Sequence, residues 1–248
     1  MPDFDVIVVG LGPVGAVLTG LLAQRGVCVA AFERSTSLYP LPHAIGFDHE
    51  LMRVMQELRI AERVLRHTAA YRFHGLVAKS WRSGRFLLAG DSAHMTPPFM
   101  AQGTVQGIRD ALNLAWKLAR MIGGDSGPVL LDSYAQERIA HVKVTTATAI
   151  AFGRVVCERD LQRAKERDAQ MRADHDGQIR TTFRQNIIPD IASGAIAADT
   201  AGAGSLLPQP SVQHDSADGQ LLDDLTGSTV RLIVSAAITG SQLCDRTA

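Results

Sequence analysis

The sequence predicts an α/β protein, with a partial, doubly wound sheet domain first and long helices after it. A β-branched run, a glycine turn, an apolar helical stretch and a second apolar run follow one another before Arg34, the order of a βαβ unit. A further apolar run, Phe86–Ala89, ends in Gly90-Asp91 as another strand would. From about Thr104 the apolar residues recur at helical spacing.

Taken in order, Val6–Val9 is the first strand and ends in Gly10-Leu11-Gly12-Pro13-Val14-Gly15. A helix follows through Leu18, Leu21 and Leu22 and stops at Gly26. Val27–Phe32 is the second strand, closing on Glu33-Arg34. Ser35–Phe47 is a loop punctuated by Pro40 and Pro42. Asp48 then caps a helix with Leu51, Met52, Val54, Met55 and Leu58 on its apolar face. Ile60–Leu65 adds a short helical piece, Tyr71–Trp81 alternates as a strand does, and Ser83-Gly84 turns. The helix from about Thr104 to Ile122 breaks at Gly123-Gly124. Pro128 to about Gln185 is mostly helical. Beyond Pro189 the Ala, Gly and Ser content reads as a linker, and Leu206–Val234 regains some strand character.

The 248 residues are 46% hydrophobic and 20% charged, an ordinary globular composition. With 25 basic and 25 acidic residues, the chain is not built to grip nucleic acid or an anionic membrane. Cys28, Cys157 and Cys244 follow no metal or redox spacing, which suits a reducing cytoplasm. No run approaches the roughly 18 apolar residues of a membrane span. Asp3 and Asp5 stand where a signal peptide carries basic residues. The expected location is cytoplasmic.

The turn Gly10-x-Gly12-x-x-Gly15 has a mechanical logic. Gly10 allows the tight bend, Gly12 lets the backbone approach a pyrophosphate, and Gly15 lets the helix pack close to the strand. Pro13 and Val14 open the helix at its anion-favouring end. Glu33 lies 23 residues beyond Gly10, at the end of the second strand, where a carboxylate can accept hydrogen bonds from a ribose diol. The alternative is that these are ordinary turn glycines and a solvated acid. NAD and FAD share an ADP half, so this motif does not choose between them.

The second motif does. Arg85-Phe86-Leu87-Leu88-Ala89-Gly90-Asp91-Ser92-Ala93-His94-Met95-Thr96-Pro97-Pro98, then Gln102-Gly103, then Gly107-Ile108-Arg109-Asp110-Ala111-Leu112-Asn113-Leu114-Ala115-Trp116-Lys117-Leu118, resembles the second FAD fingerprint of single-component flavin-dependent aromatic hydroxylases. Tyr39–Glu50 and Leu131-Asp132-Ser133-Tyr134-Ala135-Gln136-Glu137-Arg138 resemble that family too, and its 3-(3-hydroxyphenyl)propionate, resorcinol and phenol hydroxylases above all. The resemblance implies an FAD-binding, Rossmann-like domain. Asp91 would reach the ribityl hydroxyls. Gly10, Gly12, Pro13, Val14, Gly15, Glu33, Arg34 and His43 would serve the ADP half, with Gly90 carrying Asp91. Pro98, Gly103, Thr104 and Val105 would lie beside the flavin ring, where a helix N-terminus stabilises charge. Pro98 would also face the substrate's phenolic hydroxyl. No side chain is expected to act as a catalytic acid, base or nucleophile, and no metal is expected. His94, Lys117 and Arg109 read as structural.

The implied activity is hydroxylation of a phenolic compound with dioxygen, NAD(P)H supplying the electrons. The resemblance leaves room for a homodimer. It also implies an absence. Near residues 68–71 the likeness jumps past a substrate-binding sheet and a middle Asp-Gly motif, a gap on the order of 100–200 residues. His43 stands where the family usually has arginine, and Val105 where many members have asparagine. The expected division is an FAD-binding domain over 1–125, a helical region over 126–188, and a linker with a shortened thioredoxin-like remnant over 189–248. The rival reading is a catalytically dead FAD-binding remnant or an interaction module. Without the middle strand, Phe86–Ala89 must either slide beside Val6–Val9 or leave that edge open.

Overall fold

Four β-branched or apolar residues, Val6–Val9, form β1, which pairs in parallel with β2, Val29–Phe32. The register runs from Val6 opposite Val29 to Val9 opposite Phe32, and the Gly10 N–H extends it by donating to the Phe32 carbonyl at 2.7 Å. Between them α1, Pro13–Gln24, makes the crossover. Val17, Leu18, Leu21 and Leu22 form its buried stripe. Arg25 and Gly26 end it by donating back to Leu22 and Ala23, with Gly26 at φ 75°. In this computed structural model the described residues are 3–37, 49–59, 73–179, 181–183, 186–197, 200–212 and 219–227. The loop bearing His43, the Asp48 cap, the Ile60–Leu65 piece and the junction at 68–71 lie outside them.

The next elements are short. α2 is His49–Glu57, with Val54 and Met55 buried. β3 (Leu76–Val77) pairs antiparallel with β6 (His94–Met95), and β4 (Arg82–Ser83) with β5 (Phe86–Leu87). The three strands Val6–Val9, Val27–Phe32 and Phe86–Ala89 were expected in one mainly parallel sheet, and this does not hold for the third. A two-residue turn at Gly84 (φ 57°) brings β4 beside β5 at little loop-closure cost. Reaching β1 would mean closing about 75 residues of chain. The open-edge outcome prevails: among the described strands β1 pairs with β2 alone.

Three helices complete the larger unit: α3, Gly103–Ile122; α4, Leu130–Val156; and α5, Leu161–Asp174. α3 packs against α1 and α4. Val8, Leu18, Leu21 and Leu22 meet Ile108, Ala111, Leu114, Leu118, Trp81, Tyr134 and Val142 in one core. α4 is long and apolar enough to cross a membrane, yet its buried residues include Glu137, Arg138, His141 and Thr145.

The chain divides into two compact units, Met1–Leu206 and Leu207–Ala248. Part of the segment beyond Pro189 is docked. The Ala195 N–H donates to Glu137 Oε1 at 2.8 Å, and the Ile191 N–H to the Gly204 carbonyl at 3.0 Å. A Cβ on Gly194 would fall 2.2 Å from Glu137 Cγ, so only glycine lets this segment lie so close. In the smaller unit, β7 (Ser211–Val212) pairs antiparallel with β8 (Gln220–Leu221), and α6 (Leu222–Thr226) follows at once.

Candidate cofactor site

The site begins at the turn between β1 and α1. Gly10 sits at φ 97°, a conformation open to glycine. A Cβ on Gly15 would lie 1.9 Å from the Gly10 carbonyl oxygen, so the helix approaches the strand end as closely as its backbone allows. A Cβ on Gly12 would meet nothing within 4 Å. That is open space in front of the exposed N-terminus of α1, whose first turn holds no acid and begins with Pro13. A pyrophosphate requires such a surface.

Glu33 braces this turn. Its Oε2 accepts the Leu11 N–H at 2.8 Å and its Oε1 the Ser35 N–H at 2.9 Å. The Ser35 and Leu11 N–H groups hold the exposed carboxyl below its usual range. The Arg34 N–H also acts on this carboxylate, so a ribose diol would share its remaining acceptor capacity. Arg34 is exposed beside it.

The second motif arrives at the same place. Gly90–Ser92 form a single 3-10 turn with Gly90 at φ 62°. A Cβ on Gly90 would lie 2.9 Å from Val14 Cγ2, and one on Gly107 of α3 would lie 2.4 Å from the same methyl. Val14 is therefore the point where the first glycine turn, the Gly90-Asp91 turn and α3 converge. Asp91 is exposed and Gly90 buried. Pro98–Met100 form another 3-10 turn, Ala101 takes a left-handed φ of 54°, and Gly103 opens α3 with Thr104 next. The Val105 side chain is 1% exposed within the core, so its backbone is the part that can face a ligand. His43 lies outside the described residues.

Beneath these turns lies a buried polar network that local spacing did not reveal. Asp110 Oδ2 accepts His94 Nε2 at 2.7 Å and the Gly90 N–H at 3.0 Å, and Oδ1 accepts Arg138 Nε at 2.8 Å. Burial pushes the Asp110 carboxyl up, but the Arg138 guanidinium and the His94 contact bring it below the usual value. Arg138 also donates to Gln106 Oε1 at 2.6 Å, and Arg109 to Gln102 Oε1 at 2.8 Å. Trp81 stacks on the His94 ring with centroids 5.3 Å apart, and the Tyr134 hydroxyl donates to the Leu88 carbonyl at 2.7 Å. The one available sequence signal was Asp110 and Lys117 standing on the face that carries Ala111, Leu114 and Leu118. Lys117 is fully buried and donates to Glu137 Oε2 at 2.6 Å. His94, Arg109 and Lys117 thus all have partners inside the protein. A cleft of about 390 Å³ involves Ser126, Asp132, Gln136 and Gly194, and none of the expected site residues lines it.

A family model described as FAD binding domain matches residues 3–76 and 65–149, two segments that meet at the junction. The chain is 38% identical over 198 residues to a probable NADH-specific resorcinol 4-hydroxylase of Rhodococcus jostii (strain RHA1), covering 79% of this chain and 36% of the relative. It is 32% identical over 217 residues to a 3-(3-hydroxy-phenyl)propionate/3-hydroxycinnamic acid hydroxylase of Mycobacterium sp. (strain JLS), covering 81% and 38%. The chain therefore spans little more than a third of these curated relatives. Two solved structures share the fold. One is chromopyrrolic acid-soaked RebC-10x with bound 7-carboxy-K252c (TM-score 0.54, 15% identity, 64% of this chain and 69% of that one). The other is CabE, an aromatic hydroxylase from angucycline biosynthesis (TM-score 0.52, 16% identity, 61% and 69%). The family match spans more than half of the sequence, on both sides of the junction, and includes both glycine turns: the chain belongs to the FAD binding domain family.

Proposed function

We propose that this chain is the FAD-binding part of a flavin-dependent monooxygenase that hydroxylates phenolic aromatic compounds with NAD(P)H and dioxygen. The convergence of the two glycine turns on Val14 carries the reading. Gly10, Gly12, Pro13, Val14, Gly15, Glu33 and Arg34 hold the ADP half, with His43 assigned there by resemblance. Asp91, presented by Gly90, takes the ribityl hydroxyls, and Pro98, Gly103, Thr104 and the Val105 backbone flank the ring. Pro98 also meets the phenol. The sheet is one part of a doubly wound arrangement whose middle strand is missing, and residues 189–248 hold a linker and a thioredoxin-like segment. When bound, FAD supplies the oxygen-activating chemistry, while the protein positions it and shields it from water. The enzyme works in the cytoplasm, with no nucleic acid or membrane as partner, and as a homodimer if it assembles.

The names of the two hydroxylase relatives support a phenolic substrate. A second reading, an FAD-binding remnant without turnover, draws on the open edge of β1. One preparation separates them. The missing middle strand predicts that the purified chain holds flavin weakly, so FAD is added; flavin uptake with NAD(P)H oxidation stimulated by resorcinol or 3-(3-hydroxyphenyl)propionate selects the enzyme. Bound flavin without phenol-dependent oxidation selects the remnant, and absence of FAD uptake rejects both.

A further inference from the structure

We infer that Asp110 is a positioning residue of the cofactor site, its buried carboxylate anchoring the Gly90–Ser92 turn so that Asp91 is aimed at the ribityl chain. The inference rests on the FAD reading above and deepens it.

One oxygen, Oδ2, takes both the Gly90 N–H and His94 Nε2, so it pins residues 90 and 94 at once. A carboxylate oxygen only accepts, so Nε2 of His94 carries the proton in that bond. The other oxygen is held by Arg138, which is itself fixed to Gln106. Asp110 has no exposed surface. The turn is confined from other directions as well. Gly90 is pressed between Val14 and Gly107, and Ser92 Oγ donates to the Ala89 carbonyl at 2.8 Å. Asp91, exposed in the middle of this held segment, takes its direction from the turn. A charge-assisted bond to a backbone N–H is stiffer and stronger than a neutral one. An ionised Asp110 is therefore suited to hold a left-handed glycine in place.

Asp110→Asn keeps the shape but removes the charge that faces Arg138. The intact chain and its variants would be titrated with FAD by calorimetry, in a double-mutant cycle with Asp91→Ala. Each single change is expected to weaken FAD binding by roughly tenfold. The double variant should lose no more than the weaker-binding single, because Asp110 acts through Asp91. Losses that multiply to about a hundredfold would overturn the positioning role and leave a general structural one. Amide hydrogen exchange at Gly90 in the unmutated chain adds a measurement that survives if Asp110→Asn fails to fold. Protection like that of buried α3 amides supports the anchor, and exchange as fast as at exposed Gly84 overturns it. If the unmutated chain binds no FAD, the cofactor reading falls together with the ribityl role. Multiplying losses in a chain that does bind FAD overturn the positioning role alone.

Discussion

His141 shows how one residue's surroundings turn into a measurable property. It is buried on α4, and burial, with the Arg138 and Arg109 guanidinium groups close by, lowers its pKa from 6.5 to about 3. The folded state therefore keeps this imidazole neutral over a range in which the unfolded chain protonates it. A histidine with a depressed folded pKa contributes stability that is full above about 6.5 and falls as pH drops toward 3. At pH 5 the loss relative to pH 7 amounts to about 2 kcal/mol. Urea denaturation of the chain and of His141→Gln at both pH values should show a flatter dependence in the variant. Equal slopes would mean that the imidazole is not held neutral. The window above pH 4.5 keeps Asp110 and Glu137, both held below the usual carboxylate values, out of the comparison. Glycines are the other residues that decide matters here. Gly15 was legible in the sequence because its role depends on neighbours five residues away. Gly194 was not, because the Glu137 side chain it accommodates comes from another part of the chain.

Among the elements, α1, α3 and α4 were readable, since the repeat of 3.6 residues is written locally. Which helix faces which was not readable, and the polar groups between α3 and α4 show why. Lys117 and Glu137 lie 20 residues apart, and nothing in their spacing says they meet. Burial pushes the Glu137 carboxyl up, but hydrogen bonds from Lys117 and Asn113 bring it below its usual value. Removing one partner leaves a buried charge. Lys117→Met is expected to cost about 3–5 kcal/mol, and Lys117→Met combined with Glu137→Leu to recover much of it. Equilibrium unfolding would decide, and a loss below about 1 kcal/mol for the single change would show that water reaches the pair. The run Phe86–Ala89 does give a strand, Phe86–Leu87, but not beside β1, for a related reason. Its apolar run is local, but the expected neighbour is not. A short hairpin to Arg82–Ser83 wins over a distant parallel neighbour.

At the scale of the larger unit, the open edge of β1 is the main departure from a closed sheet. Val9 is 84% exposed and Ile7 61%, with Phe32 at 59% on the neighbouring strand. A β-branched edge without charge invites pairing with another chain. Val9→Lys should leave stability within about 0.5 kcal/mol while slowing aggregation. Light scattering at rising concentration, alongside thermal melts, checks both halves. Unchanged scattering would mean that association runs through another surface. The open edge was foreseeable from the resemblance, because a gap in the middle of a sheet leaves its neighbours unpaired.

The stack of Trp81 on His94 gives the protein an optical probe of its own. Trp81 and Trp116 are its two tryptophans, and Trp81 is 1% exposed. Its ring lies against a histidine bonded to the same carboxylate that accepts the Gly90 N–H. With Trp116 replaced by phenylalanine, the remaining emission comes from one indole stacked on His94, which shares Asp110 with the Gly90 N–H. A shielded indole emits to the blue of a hydrated one, so loosening of this turn would be visible as a red shift before the helices melt. A flavin seated above the turn would quench the same emission by energy transfer, which allows loading to be followed without a label.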